Sequence, residues 1–165
     1  MATREEIIAA IGQVRERLDG LEARIVANLD RPLLSGSWTV HDALCHLAAD
    51  SNAVPAFVQR IQRAVQGEPR RAPGFDVDAY NERQIALRKQ RPIEEVLREL
   101  RDGLSADVDR VEQLDEAFLL QTLPDFRGQV LPVSDQMRAY IGGHPSRHLD
   151  DIETAIGMAA SPRGQ

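Results

Sequence analysis

The residues best suited to chemistry are histidines, and the chain has four: His41, His46, His144 and His148. On a helix, the spacing of His144 and His148 brings both imidazoles to one side, one turn apart, as when two helical ligands share a metal ion. The pair falls in line with Met137, Ile141, Ile152 and Ala155, an apolar stripe that should face a bundle interior. His46 shares a helical face with Asp50 and Phe57 at the edge of another apolar arc, from where it can approach the pair. Three neutral imidazoles would leave a divalent ion with positions open to water or substrate, whereas a structural zinc site usually closes with a fourth protein ligand. Spacing alone leaves a plain alternative. The same histidines would serve equally as hydrogen-bonded core or surface residues, and no metalloprotease glutamate accompanies them.

Neighbouring residues take more ordinary readings. His41, in the first turn of its helix, is expected to be exposed or to cap. Asp50 and Asp151 could orient ligand imidazoles by accepting their second N–H, although acidic residues on helices are more often solvated. Cys45 points about 100° away from its neighbour His46 on a helix, which favours packing over a redox or metal-binding thiolate. Trp38 reads as a core anchor that fixes how the chain enters its helix.

The elements that must position these groups are legible as stripes. Ile7, Ile8, Ile11, Val14, Leu18, Leu21 and Ile25 recur every three or four residues, which predicts a first long helix over 5–28. Thr39 stands three residues before Asp42, close to a capping box. It should open a second helix reaching about residue 66, bent at Pro55. Residues 67–79, with two prolines and two glycines, read as a connection, followed by a short helix over 80–90. Pro92 fits the first turn of a third long helix striped by Ile93, Val96, Leu97, Leu100, Leu104, Val108, Val111 and Leu114. An irregular stretch to Pro132 precedes a last helix, 133–160, which should bend at Gly142, Gly143 and Pro145. Together these describe an all-α fold, a four-helix bundle with long connections, whose core sites are built by side chains meeting from facing helices.

Composition narrows the function classes. The 165 residues suit a single domain, 1–165, able to bury roughly 70% of its unfolded surface. Apolar residues at 42% against 28% charged are ordinary for a globular chain, and 4% aromatic residues favour aliphatic helix packing over sheet. A net charge of −6 repels polyanions despite local clusters such as Arg60, Arg63, Arg70 and Arg71, so no nucleic-acid partner is expected. One cysteine excludes an intrachain disulfide and suits a reducing compartment. With charges near the N-terminus and no apolar run of membrane-spanning length, the expected location is cytoplasmic, with no membrane partner.

Three segments carry a family resemblance. Gly36-Ser-Trp38-Thr-Val-His-Asp-Ala-Leu-Cys-His46-Leu-Ala resembles the signature of the DinB/YfiT-like superfamily, which includes the mycothiol-dependent maleylpyruvate isomerase N-terminal domains. Tyr140-Ile-Gly-Gly-His144-Pro-Ser-Arg-His148-Leu-Asp-Asp-Ile152 is similar to the superfamily's closing His-x-x-x-His, with Pro145 a departure beside the histidine. Phe75-Asp-Val-Asp-Ala-Tyr-Asn81 is similar to a segment before the third long helix. The resemblance implies a DinB/YfiT-like bundle and a divalent transition metal, zinc or nickel, held by His46, His144 and His148. Such an ion lowers the pKa of a water or thiol it binds toward about 7. The resemblance further implies transfer of a low-molecular-weight thiol, such as mycothiol or bacillithiol, to a small electrophile. Metal-dependent hydrolysis of a small molecule and a non-catalytic, stress-related metal-binding role are its other implications. Loop residues between 67 and 81 or 121 and 132 would shape the substrate pocket, and an apolar helix face would allow a homodimer.

Overall fold

In a computed structural model, residues 1–34 and 36–157 are described. The first helix, α1 (Arg4–Val26), starts at a capping box in which Thr3 accepts from the Glu6 amide and Glu6 from the Thr3 amide. Its stripe is buried as the periodicity predicts: Ile7, Ile11, Leu18 and Ile25 are fully enclosed. Each such aliphatic side chain contributes about 1.5–3 kcal/mol on leaving water.

The second expected helix is instead two, α2 (Val40–Asp50) and α3 (Val54–Val65). Pro55 stands in the first turn of α3, where its missing N–H costs nothing, rather than at a bend in one continuous rod. The break falls at Asn52, whose φ of 58° is left-handed. The new helix is capped from a distant element: both oxygens of buried Asp107 accept from the amides of Ala53 and Val54, at 2.9 and 2.8 Å. At the same junction a Cβ on Gly103 would collide with Ser51, so glycine is what lets the break lie against the helix carrying Asp107.

Beyond the 66–76 connection come α4 (Val77–Arg88), which starts earlier than expected because Asp76 caps it, and α5 (Ile93–Glu112) behind Pro92. The irregular stretch holds a short helix, α6 (Glu116–Leu120), and an antiparallel hairpin of β1 (Thr122–Pro124) and β2 (Val130–Pro132). The last rod is α7 (Val133–Met137), a wide π turn (Arg138–Gly143) and α8 (His144–Gly157). The expected end of that helix, 158–160, lies outside the described residues. Instead of bending sharply, the rod widens. Pro145 cannot donate to the carbonyl of Ile141 and its ring would crowd it, and an extra residue in the preceding turn relieves both problems.

α1 and α2 each pack against α5 and against the last rod, which puts α1 and α2 at opposite corners of the bundle. The fold is all-α but for the hairpin. Its buried apolar side chains form one continuous cluster. No helix among the described residues is long and apolar enough to cross a membrane.

Candidate metal centre

The bundle brings His46, from the middle of α2, together with His144 and His148, from the first two turns of α8. One ring nitrogen from each lies within 4.8 Å of those of the other two. Nε2 of His46 faces Nε2 of His144 at 3.1 Å, and the rings meet edge to face. His46 is buried at 4% exposure, while His144 keeps 27% of its side chain accessible and forms the open edge.

Several neighbours shape this centre. A turn closed by the Leu33 amide on the Trp38 carbonyl, 2.8 Å, sets Trp38 against His46 and His148, at ring separations of 4.9 and 6.0 Å. Trp38 therefore anchors the entry to α2, as expected, and also walls the site. Tyr140 stacks on His144 at 6.4 Å and on Phe57 at 5.9 Å, and its hydroxyl accepts from Arg60, 2.9 Å. A narrow cleft beside the histidines, with room for about one water, is lined by Asp50, Tyr140 and His144 over Leu47, Leu100 and Leu104. Sequence reading assigned no role to Tyr140 or Arg60, although Tyr140 lies one helical spacing before His144, a signal that was available.

Burial holds both His46 and His148 below the ordinary imidazole value, with His144 adding to the effect. His148 falls to about 4. At neutral pH these rings are therefore uncharged, the form that binds metals. The Asp50 carboxyl lies below its usual range. Burial opposes its ionisation, but the closeness of His144 and His46, together with Arg60, prevails.

The residues fit a transition metal on three counts. Imidazole nitrogens are suitable donors. Two donors on one tetrahedral ion at 2.0–2.1 Å lie roughly 3.3 Å apart, near the 3.1 Å found here. The Nδ1 atom of His148 is buried without a hydrogen-bond partner among the described residues, so a ring nitrogen of that residue is left free for an ion.

Other expectations need correction. Asp151 is exposed on α8 and contacts none of the histidines, so it orients no ring. Asp50 is neither solvated nor an orienting partner for Nδ1, the two readings open for it: it reaches the Nε2 side of His46 and His144, at 3.6 and 3.4 Å. His41 is half-buried rather than exposed, and stands apart from the cluster. Cys45 behaves as expected: it is fully buried, and burial pushes its thiol up to about 11. A larger open groove is lined by Arg88, Arg91, Arg98, Glu95, Glu99 and Asp102 and holds none of the histidines. Arg88 and Arg91 there both pair with Glu99, so most of that charge is internally neutralised.

No curated protein matches the sequence at a significant level. Two solved structures share the fold, those of the mycothiol-dependent maleylpyruvate isomerase and of a histidine-to-alanine mutant of it. Their TM-scores are 0.55 and 0.54, each with 14% identity over 95% of this chain, and the chain spans 64% of the length of each. Residues 10–141 match the family described as the mycothiol maleylpyruvate isomerase N-terminal domain, a stretch that includes His46 and stops just before His144. With most of its length matched, the chain belongs to the mycothiol maleylpyruvate isomerase N-terminal domain family, within the DinB-like fold.

Proposed function

We propose that this protein binds one divalent transition metal through His46, His144 and His148 and uses it to activate a low-molecular-weight thiol, such as mycothiol, toward a small electrophile. The observation that carries the reading is the convergence of three imidazoles from two helices, two of them held neutral by burial, with ring nitrogens within 4.8 Å of one another. Membership of a family named for a mycothiol-dependent isomerase supports the thiol over water as the activated group. Bound there, the ion would supply Lewis acidity that makes a thiolate available at neutral pH.

The chain's own groups have separate tasks. His46 and His148 give neutral nitrogens. Trp38 covers them on one side and keeps water from the enclosed face. His144, with about a quarter of its side chain accessible, borders the crevice that Asp50 and Tyr140 also line. Arg60, held by the Tyr140 hydroxyl, sets a cation behind the ring that stacks on His144, suited to an anionic group on the electrophile or thiol.

The test is elemental analysis of untagged protein beside His46→Ala and His148→Ala, with folding followed by circular dichroism, and then an assay of thiol-dependent turnover of maleylpyruvate-like electrophiles. About one metal per chain, absent from both folded variants, and turnover that needs both thiol and metal are expected. A protein that takes up no metal on reconstitution would remove the basis of the reading.

A further inference from the structure

We propose that Asp50 is a fourth donor to the metal, making the site three imidazoles and one carboxylate, to which the thiol would add as a fifth ligand. The inference rests on the reading of the histidine cluster as a metal centre and deepens it.

Its basis is a triangle of donor atoms. Asp50 Oδ2 lies 3.6 Å from His46 Nε2 and 3.4 Å from His144 Nε2, and those two nitrogens lie 3.1 Å apart. A tetrahedral ion at 2.0–2.1 Å from each ligand spaces its donors roughly 3.3 Å apart, so the triangle has the dimensions of one face of such a site. Both carboxylate separations exceed those of an ordinary N–H···O hydrogen bond. An oxygen almost equidistant from two ring nitrogens on different helices, and close to both, sits where a shared cation would draw it. A carboxylate that merely oriented a ring would face Nδ1, the nitrogen not bound to the metal. Here Nδ1 of His46 has no partner among the described residues.

The chain builds this placement locally. His46 and Asp50 are one turn apart on α2, so their side chains leave the same face. Asp50 is the last residue of α2, and the break at Asn52 turns the chain away immediately after it, leaving the carboxylate at the cleft. A carboxylate donor reduces the charge of the site by one and adds a hard ligand to three imidazoles, which disfavours soft monovalent copper relative to zinc, iron or nickel.

Competition titrations with zinc and cobalt(II), together with cobalt absorption spectra, test the assignment on folded wild type, His46→Ala, Asp50→Asn and Asp50→Cys. Asp50→Asn is expected to lower affinity at least about tenfold. Cobalt-loaded Asp50→Cys should show a thiolate-to-metal charge-transfer band that wild type lacks, since Cys45 is enclosed in the core. Should Asp50→Cys fail to fold, Asp50→His decides: an imidazole at position 50 restores the affinity lost in Asp50→Asn only if that position reaches the ion. Wild-type affinity in Asp50→Asn, with no new band in Asp50→Cys, would overturn the fourth donor while leaving the three-histidine centre in place. Absence of metal from wild type would instead defeat the centre itself.

Discussion

Enclosing a histidine ring without a proton has a consequence that can be measured without any metal. His148 is held to about 4, against an unperturbed 6.5, first by burial and then by His144 and His46. Between those values the unfolded chain takes up a proton that the folded chain refuses, so in this window stability falls as pH falls. The contribution is intact above about 6.5 and is lost as pH drops through about 4, amounting to about 2 kcal/mol once the ring's partial exposure is allowed for. Chelator-treated protein, denatured with urea between about pH 7 and 5, should lose stability more steeply than His148→Asn. Parallel curves would mean that His148 is not held neutral by the fold. At this scale the sequence was informative about which histidines meet, because helical spacing decides that. It said little about ring orientation, which depends on contacts across helices. Helical spacing therefore leaves Asp50 between solvent and an orienting role, although it faces Nε2, and makes Trp38 an anchor although it also touches two of the rings.

The break between α2 and α3 fixes where Asp50 ends its helix, and the break is itself held by Asp107 on α5. That carboxyl is buried at 1% exposure, and burial raises it above its usual range even though the Ala53 and Val54 amides favour its ionised form. Asp107→Ala would leave two buried amides without acceptors and is expected to cost about 1–3 kcal/mol. Because the loosened junction frees Asp50, metal affinity should weaken in the same variant. Asp107→Asn, which keeps one acceptor oxygen, should recover part of both. An unchanged denaturation midpoint in Asp107→Ala would show that the junction does not depend on this cap. The long helices were legible because their stripes are local patterns. The cap was not, since Asp107 stands more than fifty residues from the amides it serves. The hairpin escaped for a similar reason. Its strands are three residues each and end in prolines, and what docks them is Gln136, donating to the carbonyls of Leu123 and Leu131 while accepting from Arg70. The same glutamine joins the two loop regions expected to border the substrate.

Across the molecule, the candidate centre ties α2 to α8, two helices that are neighbours on one edge of the ring α1, α5, α2 and last rod. Elsewhere the last rod is held to α1 by Arg17, which pairs with Asp150 and Glu153 and donates to Ser146, and by the close approach of Gly142 to Ala10. The ion pairs are partly exposed and contribute little each, about 0–1 kcal/mol. An ion at the histidines would thus add the strongest single link between α2 and the rest of the bundle, and folding and metal binding become coupled. A metal present at a thousandfold over its dissociation constant stabilises the folded chain by about 4 kcal/mol. For a protein of this size, that corresponds to a rise in Tm of about 10 °C. Thermal melts with and without a chelator should show this difference in wild type and none in His46→Ala. Amide exchange should slow on metal addition in α2 and α8 together, because the link joins both. Protection confined to α8 would assign the metal to the His144 and His148 pair alone and remove His46 from the centre.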